Sequence, residues 1–80
     1  MTGRRVMLTF PQELIREPVL YNLSQQFRVL TNIHRADVAE DRGWVVVELV
    51  GKPEDIDQGI EWMISRGVRV DPVVGDAAEE

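Results

Sequence analysis

The sequence predicts an α+β sandwich in which one four-stranded antiparallel sheet carries both helices on a single face. Three observations lead there. Apolar residues alternate at period two over residues 4–10 and again over 43–50, as they do in half-buried strands. Helical spacing replaces that alternation twice, at Val19, Leu20, Leu23 and Phe27 and at Ile56, Ile60, Met63 and Ile64. Prolines and glycines stand where one period gives way to the other. The resulting order, β-α-β-β-α-β, with short right-handed crossovers is the ferredoxin-like sandwich, and it sets the strands in the spatial order 4-1-3-2.

In the first strand Val6, Leu8 and Phe10 form one face and Arg5, Met7 and Thr9 the other, and Pro11 ends it. Proline is tolerated in the first turn of a helix and not in its interior, so the first helix starts near Pro18. Glu17 then stands beside its positive end and residues 12–16 form a lead-in turn, with Leu14 and Ile15 covering the corner. Residues 29–41 suit a second strand, and Asp41, Arg42 and Gly43 read as a tight hairpin turn with glycine supplying a positive φ. The third strand places Val45, Val47 and Leu49 inward and Trp44, Val46 and Glu48 outward. Pro53, Glu54 and Asp55 open the second helix; Arg66 and Gly67 close it with a left-handed cap. Residues 68–74 make a last strand, in which Pro72 requires a sheet edge. The folded unit is expected over residues 4–74, followed by a flexible acidic tail at 75–80.

Composition limits the function. Eighty residues at 9.1 kDa suffice for one small domain and are expected to enclose no cavity that could hold a substrate with its catalytic machinery without help from a loop, a surface or a second subunit. The absence of cysteine excludes a disulfide framework, a thiolate zinc site and a cysteine-held iron–sulfur cluster within these residues. The net charge is −5, but Asp76, Glu79 and Glu80 lie in the tail, leaving 11 acids against nine bases in the body. Such a near-neutral body, in a chain whose pI is about 4.8, lacks the basic stripe of a nucleic-acid binder. No apolar run is long enough to span a membrane and no signal-like leader is present, so a cytoplasmic location is expected. His34 is the only histidine and has no evident metal-ligating partners; no serine sits in a nucleophile elbow and no glycine-rich phosphate loop occurs. The expectation is a chain that is not an enzyme and takes no cofactor.

What remains is the face the helices leave open. Period two places Met7, Thr9, Trp44, Val46, Glu48, Arg69 and Asp71 there. An aromatic, methionine and arginine grouping without lysine is the composition of a contact surface, so Met7, Trp44, Val46 and Arg69 are expected at an interface. The second strand breaks its own parity, and a β-bulge between Ile33 and Ala36 would turn Ile33, Ala36 and Val38 all inward. On this strand Asn32 carries both donors and an acceptor, and is a candidate to orient a small polar ligand beside the start of the first helix.

Several marks, in this order and spacing, resemble the NIL domain: LTF before the first loop, EP opening the first helix, NI in the second strand, ELVG closing the third, and IEWMISRGVRV at the end. The resemblance covers about residues 4–74. It implies a domain of the kind found at the C-terminus of the ATPase subunit of bacterial methionine importers, where such domains pair as dimers and bind methionine as an inhibitory ligand. Others of the family are fused to ferredoxin-type domains or stand alone. The Asn-Ile-Leu signature appears here as Asn32-Ile33-His34, with histidine in place of leucine. The resemblance carries a ligand role to Asn32, and the expected ligand contacts are Asn32, Ile33, His34 and Phe10, with Trp44 adding apolar surface. The expected partners are a second copy of the chain and a methionine-like amino acid. The competing expectation is a ligand-free module that docks onto a metabolic, transporter or iron–sulfur protein.

Overall fold

A computed structural model describes residues 2–14, 18–39 and 41–73. Strand β1 (Thr2–Pro11) leads through a 3₁₀ turn (Gln12–Leu14) to helix α1 (Val19–Gln26). Strands β2 (Val29–Val38) and β3 (Arg42–Gly51) form a hairpin; helix α2 (Pro53–Ser65) and strand β4 (Arg69–Pro72) complete the chain. The four strands lie in the order β2-β3-β1-β4, all antiparallel, which is the expected 4-1-3-2 order read from the other edge.

Alternation on the two central strands builds the core. Val6 and Leu8 of β1 stand opposite Val47 and Val45 of β3. Together with Leu49 these side chains are buried beneath Val19 and Leu23 of α1 and Ile56 and Met63 of α2. Phe10 and Val70 join as partly buried residues. Near one end of the sheet, Arg4 reaches across to α2 and donates from Nη1 to Asp57 Oδ1 at 2.7 Å.

Both helices begin as their prolines require. Pro18 is the N-cap of α1, and its carbonyl accepts from the Asn22 N–H at 2.9 Å. Pro53 occupies the first turn of α2, with Glu54 and Asp55 at the positive end of the dipole. At the C-terminus of α2 the Val68 N–H donates to the Met63 carbonyl and the Gly67 N–H to the Ile64 carbonyl, both at 3.0 Å. Gly67 has a φ of 105°, so this is the glycine-capped Schellman arrangement.

Four expectations need correction. Gly43 is not a turn residue: it is buried within β3 opposite Phe10 and Val38, and its φ is not positive. The hairpin is closed by the Ala39 N–H donating to the Arg42 carbonyl at 2.8 Å. Ile64 is exposed, because Gly59 takes its place in the buried stripe of α2 and lets α1 approach. Strand β4 begins at Arg69, since Val68 is consumed by the helix cap. The fourth concerns β2. Ile33, Ala36 and Val38 do share the helical face, opposite Val47, Val45 and Gly43, yet all three remain exposed. An eight-residue α1 is roughly 12 Å long and too short to cover the full length of ten-residue strands that run for about 33 Å. The expectations for Ile15, Arg16, Glu17, Glu40, Val74 and residues 75–80 lie outside the described residues.

Candidate ligand and interaction surfaces

The register places each residue of the open face. Across β1 and β3, Arg5 stands opposite Glu48, Met7 opposite Val46, and Thr9 opposite Trp44. β4 adds Asp71 beside Met7 and Arg69 beside Thr9, and these two close on each other, Arg69 Nε to Asp71 Oδ2 at 3.0 Å. Met7, Trp44 and Val46 are half-buried by these neighbours, so this face is not a bare apolar sheet. It contains a hollow of about 450 Å³ with Met7, Trp44, Val46 and Val73 as apolar lining and Arg5, His34 and Arg35 as its nitrogen-bearing groups.

The bulge explains how His34 arrives there. Ile33 pairs with Val47 and Arg35 with Val46, so His34 is the extra residue of β2. Its Nε2 lies 3.8 Å from Glu48 Oε1, and Asn32 stands opposite the same glutamate. Asn32, His34 and Glu48 therefore form one polar group beside the hollow.

Phe10 and Ile33 belong elsewhere. Both lie on the helical side of the sheet, opposite Gly43 and Val47. Phe10 lines a second, apolar groove of about 230 Å³ between the start of α1 and the end of the hairpin, with Leu14, Pro18, Tyr21 and Val38. Asn32 is on the other face and five residues along β3 from Gly43, a displacement of roughly 17 Å, so it does not stand beside the start of α1. The four ligand-contact residues are thus split: Asn32 and His34 together, Phe10 and Ile33 apart from them. Within one copy they do not surround one ligand.

Sequence reasoning did not foresee how far three residues of β2 protrude. Leu30 (62%), Ile33 (60%) and Val38 (63%) of β2 protrude further than Met7, Trp44 or Val46. The relative lengths of α1 and β2 decide this, and the apolar spacing does not disclose them. Glu48 was placed on the correct face, but its grouping with Asn32 and His34 follows only from the register. Among the described residues no cluster of three or more histidine or carboxylate side chains could hold a metal ion, and no helix is long and apolar enough to cross a membrane.

The NIL domain family matches residues 4–72, nearly the whole chain. This chain belongs to the NIL domain family. The C-terminal domain of an ABC transporter ATP-binding protein from Enterococcus faecalis has the same fold, with a TM-score of 0.78 over 90% of this chain and 84% of that one, at 21% identity. No curated protein matches this NIL domain. Asn32 and Ile33, which match the start of Asn-Ile-Leu, fall immediately before the bulge in β2.

Proposed function

We propose that this NIL domain is a non-catalytic regulatory module, active as a homodimer in the cytoplasm, that senses methionine or a related sulfur amino acid. The observation that carries this reading is the placement of the signature residue Asn32 on the open face, next to Glu48 and His34 and beside a hollow with an apolar lining. A zwitterionic amino acid needs an anion for its ammonium, a cation for its carboxylate and an apolar wall for its side chain. Glu48 offers the first. Arg5 in the hollow offers the second, its guanidinium carrying five N–H donors, enough to serve a ligand besides a protein partner. Met7, Val46 and Trp44 offer the third, and thioether contact with an aromatic edge is favourable by about 0.3–1.5 kcal/mol. Phe10 and Ile33, on the helical side of the sheet, lie outside this site.

Isothermal titration of L-methionine into the chain should give a saturable heat, and Asn32→Ala should weaken it at least about tenfold, the loss expected when a buried polar partner goes unpaired. No heat at millimolar ligand would remove the reading.

A second reading is favoured by the contiguity of Met7, Val46 and Trp44 across β1 and β3, with Arg69 at the rim. Here the open face docks, without ligand, onto a transporter, metabolic or iron–sulfur protein. Trp44→Glu should then abolish binding to an immobilised candidate partner with the circular dichroism unchanged; binding that survives the substitution ends this reading.

A further inference from the structure

The two edges of the sheet are built differently. β4 is a four-residue edge that carries Pro72 and whose Arg69 and Asp71 are already joined. That is how edges are commonly kept from pairing. β2 is a ten-residue edge with no proline and no lysine, and its bulge at His34 is the one such device among its residues. Beyond the bulge, Ala36 and Val38 direct their backbone donors and acceptors away from β3, with Val38 and, just before the bulge, Ile33 exposed on the helical face.

The side chains of this segment are self-complementary. Arg35 and Asp37 share the open face, opposite Val46 and Trp44, and both are exposed. Neither has an ion-pair partner among the described residues. Two copies of one strand can pair antiparallel only about a two-fold axis, and the residue on that axis sets every other pair. An axis at Arg35 sets arginine against arginine, and one at Asp37 sets aspartate against aspartate; like charges directly opposite are destabilising. An axis at Ala36 sets Arg35 against Asp37 twice. It also lets the two Ala36 residues exchange their outward N–H and C=O groups and brings Val38 of each copy toward the exposed Ile33 of the other.

We infer that the β2 edge of this domain pairs antiparallel with the same edge of a second copy about a two-fold axis at Ala36, joining two four-stranded sheets into one of eight. This rests on the homodimer reading above and adds its interface and register. The pairing continues the sheet plane, so the hollow on each open face stays accessible beside the joint.

Charge exchange tests the register. Arg35→Asp makes the segment doubly acidic and Asp37→Arg makes it doubly basic. In sedimentation velocity each variant alone should dissociate, its dimer constant weakened about tenfold or more by the two like-charged pairs. An equimolar mixture should recover dimers, because both acidic side chains of the R35D copy then face basic ones of the D37R copy. Recovery also establishes that both variants are folded. Single variants that dimerise as tightly as the parent chain overturn the register while the homodimer reading stands. Dissociation of both without recovery on mixing overturns it too. A parent chain that stays monomeric at millimolar concentration overturns both readings together.

Discussion

Leu23→Ala is expected to cost about 3–5 kcal/mol, the upper part of the range for a buried leucine. Leu23 is fully buried at the seam between α1 and the rest of the core. Its Cδ1 occupies space that a side chain on α2 would otherwise claim: a Cβ placed on Gly59 would come within 2.8 Å of it. Truncating Leu23 therefore opens a void facing a residue with no side chain to move into it, and voids that cannot collapse cost most. A domain of this length has roughly 4–12 kcal/mol in total, so the variant should melt at least about 12 °C lower, with denaturant midpoints shifted to match. The same geometry supplies a control. Adding Gly59→Ala to Leu23→Ala should recover part of the loss, since the new methyl enters the vacated space and alanine favours helix over glycine by about 1 kcal/mol. A single-variant loss below about 1.5 kcal/mol, or a double variant less stable than the single, would contradict this packing.

The interplay of Leu23 and Gly59 marks a limit on what the sequence discloses. Period two in β1 and β3 assigns faces without ambiguity, because shifting either strand by one residue would drive Val6, Leu8, Val45, Val47 and Leu49 into water. The helix starts are equally legible, since Pro18 and Pro53 admit few other positions. Extent is not legible. Nothing in the spacing of Val19, Leu20 and Leu23 says that Ile33 and Val38 are left uncovered, so their inward turn reads as burial when it is only direction. Nor does a glycine reveal its reason. Gly43 sits after Asp41-Arg42 as a turn glycine would, yet it serves as a buried strand residue, and Gly59 inside a helix is there for the neighbour it admits. The candidate site divides along the same line. Asn32 and His34 can be singled out on a strand with broken parity, but their grouping with Glu48 depends on which residue the bulge leaves over, and that is decided by cross-strand register.

Gly51 tests that distinction directly. A Cβ there would lie 2.6 Å from the Arg28 carbonyl oxygen, a backbone atom fixed by the start of β2, whereas its own φ is not in the left-handed region. Gly51 also pairs with both Thr2 and Val29, so the strand cannot retreat from the contact without loosening two ladders. Gly51→Ala should accordingly cost about 2–3 kcal/mol through overpacking, although alanine in a strand is no worse than glycine in propensity. Gly67 is the opposite case. It has space, with the nearest atom, Leu14 Cδ1, 3.7 Å from a Cβ, but its φ of 105° is one that L-residues resist. Gly67→Ala should cost about 1–2 kcal/mol, and Gly67→Asn less, since asparagine tolerates the left-handed region. At Gly51, Asn should be worse than Ala, because a larger side chain meets the same carbonyl. Urea titrations of the four variants separate the two causes by the order within each pair. An asparagine that relieves the loss at Gly51 would mean that conformation, not the approach of Arg28, is what that position requires.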